Sequence, residues 1–420
     1  MVCNSKKNLI LDACGDRWLT WIADKGIEPS FSKVIINGQT RLEIKAKENQ
    51  RNNYGKWIYT IDGIIGGSYY KCSVEYLMKN VENENVCIAQ ILTWLDSNGV
   101  VVARDYVDNI TETEDGWRNL SRIINAPDNA YSVKMELVMK WTCSGSVLWR
   151  NASIFEVEPV PHRKVIAATT FFEPKHDLDK NFKAILDVLD KAGKHNPDII
   201  CLSETMYSLE IDLPIEKKAD TIPGRLTDAV CEKAKKYNSY ILLGMVEKED
   251  RYYYNAAVLI NRQGNIVGKY RKVHLAMFEA EEGISPGNEF PVFETDFGKI
   301  GIMICWDNWF PETARILRLK GAEVLFLQTA GTTPVQSKAR AIDNGVHVVV
   351  SGAHNLSYII NPEGDIIADV TSEDEGVAVA EIDLDKRYYT YWLSVGPAYG
   401  EAHSIYLKER RPDTYHHLLK

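Results

Sequence analysis

The spacing of hydrophobic residues changes near position 160, and this change constrains the fold more than any other feature of the chain. Before it, short stretches alternate hydrophobic and polar residues, and turns such as Asn37-Gly38 and Asn98-Gly99 separate them. A period of two with Asn-Gly turns is typical of antiparallel hairpins. Seven of the ten tryptophans also lie in this part. We therefore predict an all-β sandwich domain over residues 1–158.

The second part of the chain follows a segment with two prolines, residues 158–163, which favours an extended linker. After it, strand-like and helix-like patterns alternate. Residues 177–192 carry apolar side chains at helical spacing, and residues 198–203 and 299–305 are short apolar runs typical of buried strands. This alternation predicts a layered α/β domain over residues 164–420.

Composition narrows the classes of function. The formal net charge is −9 and the pI about 5.6, without a Lys/Arg-rich stripe, so we expect no nucleic-acid partner. No apolar run reaches the roughly 18 residues that span a membrane, and no signal peptide is predicted. The eight cysteines show neither CxxC pairs nor metal-like spacing. They indicate free thiols in a reducing compartment, so we expect a cytoplasmic protein with no metal or other cofactor.

Three side chains that can support nucleophilic chemistry follow predicted strands. Glu204 and Cys305 each end an apolar run, and Lys272 lies where a strand gives way to a loop. Ligands gather at the carboxyl edge of open α/β sheets. There a carboxylate can deprotonate a thiol, and an ammonium can stabilise an oxyanion. The residues alone leave open a buried inert cysteine, a solvated glutamate and a solvated basic face.

Taken in order, five segments resemble the nitrilase (carbon–nitrogen hydrolase) superfamily over about residues 164–415. The resemblance implies that Glu204 is the general base, Lys272 the catalytic lysine and Cys305 the nucleophile. It also implies a four-layer αββα fold, no metal, and a homodimer or larger homo-oligomer. The segments are PDIICLSE at 197–204, KYRKVHL at 269–275, PG at 286–287 with VFETDFGKIGIMICWD at 292–307, RAIDNG at 340–345 (with Asp where the family has Glu), and LKERRPDTY at 407–415, similar to the family's C-terminal extension.

The family also carries a second glutamate between the lysine and the cysteine, which positions the substrate and relays protons. Glu279, Glu281 and Glu282 are the candidates in this chain. The spacing to Pro286-Gly287 favours Glu281.

The residues after the nucleophile bear on the substrate. The resemblance implies that the backbone N–H of Trp306 helps to stabilise the oxyanion, and we expect Asn308 to line the pocket. Trp306 is followed by Asp307, as in amidase-type members, whereas true nitrilases usually have Cys-Trp-Glu. His274 and His354 are predicted to be hydrogen-bonded structural residues.

The function implied is hydrolysis of a small amide or carbamoyl compound through a cysteine thioester, with release of ammonia or an amine. Nitrile hydrolysis and acyl transfer to an amine on the same scaffold are alternatives, and a binding protein with an inactive hydrolase fold is a third.

The first domain resembles a jelly-roll, galactose-binding-like domain in its GWRNL segment at 116–120 and its APDNA segment at 126–130. The resemblance implies carbohydrate as a possible partner of the N-terminal domain, but a role in packing or in gating of substrate is favoured. No individual binding residue is predicted there.

Overall fold

A computed structural model describes residues 7–11, 14–331, 333–353, 357–370, 376–391 and 399–419. His354 lies outside these residues. The chain forms two compact units, the first made of residues 1–161 with 389–420 and the second of residues 162–388. None of the helices in the described ranges is long and apolar enough to cross a membrane.

The first unit begins with two antiparallel sheets, in the orders β1-β4-β10-β6-β7 and β2-β3-β11-β5-β9-β8. The predicted hairpin at Asn37-Gly38 is confirmed, because both residues have positive φ and Ile36 pairs with Gln39. The elements are β1 (Leu19–Ile22), β2 (Ser30–Ile36), β3 (Gln39–Lys45), β4 (Tyr54–Asp62), β5 (Tyr69–Lys79), α1 (Glu84–Cys87), β6 (Ile88–Leu95), β7 (Val101–Val107), β8 (Asn109–Glu112), β9 (Arg118–Asn125), β10 (Ser132–Lys140) and β11 (Ser146–Val157).

One hydrophobic core joins the facing sides of these two sheets. Every second residue of the strands points inward, as a period of two requires. Tyr59 of β4 and Leu137 of β10 thus pack in the same cluster as Val74 of β5 and Trp149 of β11. The unit is therefore a two-sheet sandwich, and its assignment to the jelly-roll class stays a prediction.

The second unit contains two six-stranded sheets, ordered β16-β15-β14-β13-β12-β23 and β17-β18-β19-β20-β21-β22. Its strands are β12 (Lys164–Thr170), β13 (Ile199–Cys201), β14 (Tyr240–Glu249), β15 (Tyr252–Ile260), β16 (Ile266–Arg271), β17 (Val292–Glu294), β18 (Lys299–Ile304), β19 (Val324–Gln328), β20 (His347–Ser351), β21 (Ser357–Ile360), β22 (Ile366–Val370) and β23 (Val377–Asp383). Its helices are α2 (Leu178–Gly193), α3 (Ile215–Lys218), α4 (Arg225–Tyr237), α5 (Met277–Glu281), α6 (Pro311–Leu319) and α7 (Pro334–Asn344), with a 3-10 helix at Cys305–Trp309.

Three hydrophobic clusters show how these elements are layered. The first fills the space between the two sheets, with Ile199 and Leu242 on one side and Ile302 and Phe326 on the other. The second packs α2 and α4 against the outer face of the first sheet. The third packs α6 and α7 against the outer face of the second sheet. The layers are therefore helix, sheet, sheet and helix, as predicted.

The C-terminal segment belongs to the first unit, which corrects the prediction that residues 164–420 form one domain. It contains β24 (Tyr389–Tyr391), β25 (Tyr399–Glu401), α8 (Ala402–Lys408) and 3-10 turns at Pro412–Thr414 and His416–Leu419. Strand β25 pairs in parallel with β7, and Ile405 of α8 is buried against Tyr106 and Val138. Arg122 donates hydrogen bonds to Glu401 and Ser404. Such contacts are set by tertiary packing, which local sequence patterns do not reveal.

Candidate active site

Glu204 lies three residues beyond β13 and is only 5% exposed. Its Oε1 accepts hydrogen bonds from Lys272 Nζ at 2.9 Å and from Asn255 Nδ2 at 2.7 Å. Its Oε2 accepts one from the backbone N–H of Ala330 at 2.8 Å. The backbone here packs closely against Gly244, where an added Cβ would lie 2.5 Å from the carbonyl oxygen of Ser203. The carboxylate is therefore held by three donors on a tightly packed turn.

Lys272 follows β16 and is 1% exposed. Its backbone N–H donates to the Asn255 carbonyl, and its own carbonyl accepts from the N–H of Gly287, both at 2.8 Å. Its Nζ contacts two carboxylates, Glu204 at 2.9 Å and Glu279 at 2.7 Å. Burial by itself would lower the pKa of Lys272, but Glu204, Cys305 and Glu279 together raise it above its ordinary value. The side chain is therefore a cation fixed between two anions.

Glu279, and not Glu281, is the second carboxylate of the site, so the prediction of Glu281 is wrong. Glu279 is 6% exposed, and its Oε2 accepts from Lys272 Nζ and from the Ala276 N–H at 2.8 Å. Glu281 is exposed on α5, and Glu282 forms a salt bridge with Lys218 at 3.0 Å. Two residues along a helix rotate a side chain by about 200°, which turns Glu281 away from the face that carries Glu279.

Asn255 joins this group, although sequence reasoning missed it. It lies on β15 and is 3% exposed. Its Nδ2 donates to Glu204 Oε1 at 2.7 Å and to Glu279 Oε1 at 2.8 Å. The sequence does contain a signal for this residue, because the amide Asn255 directly precedes the apolar run AAVLI. Buried amides are expected to be hydrogen-bonded, so such a residue marks a polar partner inside the core.

Cys305 follows β18 as the first residue of the 3-10 helix Cys305–Trp309. Its φ of +44° lies in the left-handed region, which is strained for a residue with a Cβ. Glu204, Lys272 and Thr329 are the side chains that act on the pKa of its thiol. Burial, and then the charge of Glu204, raise the pKa of Cys305 to about 12, although Lys272 opposes the rise. The thiol is therefore protonated at neutral pH, and its attack on a substrate requires a base.

Asp307 connects the loop that carries the lysine to the turn that carries the cysteine. It is fully buried, and its Oδ2 accepts from Tyr270 Oη at 2.7 Å and from the Ile304 N–H at 2.9 Å. Its Oδ1 accepts from the N–H and Nδ1 of His274, at 3.1 Å and 2.9 Å. The predicted hydrogen bonding of His274 is confirmed, and its structural role stays a prediction.

The remaining predicted site residues take different positions. Trp306 is 38% exposed beside the Trp309 ring, and its N–H belongs to the first turn of a helix, where N–H groups have no acceptor inside the helix. Asn308 is fully buried and donates to Ser337 Oγ at 3.2 Å, while its carbonyl accepts from Arg340 Nε at 3.1 Å. Its amide thus joins the turn to α7, and the expectation that Asn308 lines the pocket stays a prediction.

The group has the components of acid–base and nucleophilic chemistry: a thiol, a neighbouring carboxylate and a buried ammonium. The carboxylates of Glu204 and Glu279 each accept hydrogen bonds from the Lys272 ammonium and from the Asn255 amide. Within the described residues, no group of three or more His, Cys, Asp or Glu side chains is arranged to hold a metal ion.

The second unit matches a known protein family. The carbon-nitrogen hydrolase family model matches residues 166–390, more than half of the chain. A probable nitrilase of Schizosaccharomyces pombe is 37% identical over 211 residues, which cover 44% of this chain and 71% of that protein. An N-carbamoylputrescine amidase of Arabidopsis thaliana is 29% identical over 296 residues, 61% of this chain and 96% of that protein.

Among solved structures, a carbon-nitrogen hydrolase from Helicobacter pylori has the same fold over 62% of this chain and 99% of its own, with a TM-score of 0.51 and 22% identity. The fold and the extent of the family match lead to one conclusion: the chain belongs to the carbon–nitrogen hydrolase family and is a hydrolase.

Proposed function

We propose that the protein hydrolyses the C–N bond of a small amide or carbamoyl compound, with Cys305 as nucleophile, Glu204 as general base and Lys272 as oxyanion donor. The observation that carries the proposal is the convergence of these groups. Lys272 Nζ lies within 2.9 Å of both buried carboxylates, and the charges of Glu204 and Lys272 both act on the Cys305 thiol.

In the first half-reaction, Glu204 takes the thiol proton while the sulfur forms a bond to the substrate carbon. The electron pair of the C=O double bond moves to oxygen. An ammonium has three N–H donors, and Lys272 uses two of them on Glu204 and Glu279. The third, with the backbone N–H of Trp306, stabilises the oxyanion. Removing one such donor typically costs about 3–4 kcal/mol of barrier.

The C–N bond then breaks, and its electron pair takes the proton held by Glu204, so that ammonia or an amine leaves. The product left on the protein is a Cys305 thioester. Glu204 next takes a proton from water, and the oxygen of that water adds to the thioester carbon. Collapse releases the carboxylic acid, and the sulfur regains its proton from Glu204. Glu279 holds Lys272 in place throughout and orients the substrate.

The most direct experiment measures ammonia or amine release from matched panels of amides, carbamoyl compounds and nitriles. The wild-type protein is expected to turn over an amide or carbamoyl compound. The Cys305→Ala variant should show no turnover above background while it melts at the temperature of the wild type. An active Cys305→Ala protein would rule out the proposed chemistry.

Nitrile hydrolysis and acyl transfer are the second candidates. The probable nitrilase among the relatives favours the first of them. In the nitrile panel, release of a carboxylic acid would identify this activity. Hydroxylamine added to the amide assay distinguishes amide hydrolysis from acyl transfer. A protein that transfers the acyl group forms hydroxamate in preference to the carboxylic acid.

We also propose that the protein is cytoplasmic, that it forms a homodimer or larger homo-oligomer, and that its first unit is a jelly-roll domain. Packing or gating of substrate is the favoured role of this unit, and carbohydrate binding is the second candidate. Seven of the ten tryptophans lie before residue 160, and this aromatic content is what supports carbohydrate binding, since aromatic side chains offer large apolar faces. Titration of the full chain with a glycan panel tests it, and a flat response would remove it. Light scattering of the purified protein tests the assembly.

A further inference from the structure

Asn255 contacts the site through both its backbone and its side chain. Its carbonyl oxygen accepts the N–H of Lys272 at 2.8 Å, and thereby sets where the lysine leaves the sheet. Its side chain is 3% exposed, and the five residues after it on β15 are fully buried apolar residues. Because strand residues in this environment are normally apolar, an amide here needs a specific polar partner.

The two N–H bonds of the Asn255 amide serve the same two carboxylates as the ammonium of Lys272. Nδ2 lies 2.7 Å from Glu204 Oε1 and 2.8 Å from Glu279 Oε1. The two donors and two carboxylates therefore alternate around a closed ring. The orientation of the amide is determined, because a flipped amide would turn its carbonyl oxygen towards two anions.

The charges of the Glu204 and Glu279 carboxylates explain why a second donor is needed besides Lys272. Two carboxylates face each other across the ring, and Lys272 is the cation bonded to both. Like charges in a buried site disfavour joint ionisation. The Asn255 amide adds hydrogen bonds to both carboxylates without adding a charge, and it does so at every pH, because an amide does not titrate.

We infer that Asn255 is a positioning residue of the proposed hydrolase, which keeps Glu204 charged and directed at the Cys305 thiol by holding it against Glu279. The inference rests on the proposed function. Without Asn255, the Glu204 carboxylate loses one of three donors and is free to turn from the thiol or to take up a proton. Four groups share this charge balance: Glu204, Glu279, Lys272 and Cys305.

The test compares kcat, KM and the pH–rate profile of the full-length wild type, Asn255→Leu and Asn255→Asp. Leucine removes both hydrogen bonds, and aspartate keeps the shape but adds a third carboxylate. We expect kcat of the leucine variant to fall roughly 10- to 100-fold, the loss that follows from one hydrogen bond to a charged group. KM should stay within about threefold of the wild type, since the amide does not touch substrate.

The pH profile separates positioning from a structural effect. The acid limb of kcat should move up by about one pH unit in Asn255→Leu, because the charged base has lost a donor, and further in Asn255→Asp. Asn344→Leu is the matched control. Asn344 is 1% exposed, and its Nδ2 donates to the Arg340 carbonyl at the far end of α7. The Asn344→Leu variant should have a lower melting temperature than the wild type, and the acid limb of its kcat profile should stay at the wild-type pH.

An acid limb that stays at the wild-type pH in both Asn255 variants would overturn the inference, as would an equal shift in the Asn344 control. If the leucine variant does not fold, the aspartate variant decides. Failure of the proposed function would give a different result. The Cys305→Ala variant would then keep its turnover, or the wild type would show no turnover on the panel, and the inference about Asn255 would be refuted as well.

Discussion

Glu279→Gln, paired with Glu281→Gln, gives a prediction whose size follows from the hydrogen bonds of the site. Glu279 accepts from Lys272 Nζ, the Ala276 N–H and Asn255 Nδ2. A glutamine has one acceptor oxygen. If that oxygen keeps the two donors at Oε2, its NH₂ group faces the Nδ2 of Asn255. One charge-assisted hydrogen bond is lost, and the charge that balances the buried ammonium is removed.

The expected magnitude combines these two losses. A hydrogen bond to a charged group contributes about 1.5–3 kcal/mol, and breaking a buried ion pair costs about 3–5 kcal/mol. Because the charge of Glu204 remains beside Lys272, we expect the lower end, about 3 kcal/mol. This corresponds to a loss of roughly 100-fold in kcat/KM if the lost interaction supports the transition state.

Glu281→Gln removes the same charge from an exposed position on the same short helix. Exposed substitutions usually change the free energy of unfolding by less than about 0.5 kcal/mol. We expect activity within about twofold of the wild type. The assay is kcat/KM on the best substrate of the panel, with melting temperatures for both variants. The reasoning is refuted if Glu281→Gln loses as much activity as Glu279→Gln, or if Glu279→Gln loses none.

Two further predictions concern stability. Gln90 points into the sandwich core of the first unit, and neither polar atom of its buried amide has a hydrogen-bond partner among the described residues. Gln90→Leu should stabilise that unit by about 1–3 kcal/mol, seen as a higher urea midpoint of its transition. Burial lowers the pKa of His347 to about 4, from an ordinary value near 6.5. The His347 imidazole therefore binds a proton more readily in the unfolded chain than in the folded one. The free energy of unfolding that it contributes above pH 6.5 is lost as the pH falls towards 4. At 1.36 kcal/mol per pH unit the loss approaches roughly 3 kcal/mol, and urea unfolding of His347→Gln should show a flatter pH dependence.

The sequence predicts the layered second unit and the convergence of its site for one physical reason. Buried strands are apolar, so a polar residue at the end of such a run stands out. Glu204 and Cys305 are both found this way. They follow β13 and β18, which belong to two different sheets that pack face to face. Motif resemblance then supplies Lys272, which pattern alone does not separate from a solvated cation.

What the sequence does not predict depends on rotation and tertiary contact. Glu279 and Glu281 differ only in the face of α5 that they occupy, and a helix of five residues is too short to reveal its phase. Asn308 is polar and near Cys305 in sequence, but its amide donates a hydrogen bond to Ser337, a contact that local patterns do not reveal. The place of the C-terminal segment follows from Ile405 and the Arg122–Glu401 pair, which join positions almost 280 residues apart.

The account depends most on one covalent bond, between the sulfur of Cys305 and the acyl carbon of the substrate. Peptide mass spectrometry of wild-type mixtures, acid-quenched during the first turnovers and at steady state, measures it directly. We predict an acyl mass increase on the peptide that contains Cys305, absent in Cys305→Ala. Turnover that leaves this peptide unmodified in every quenched sample, or an adduct carried by another cysteine, would contradict the account.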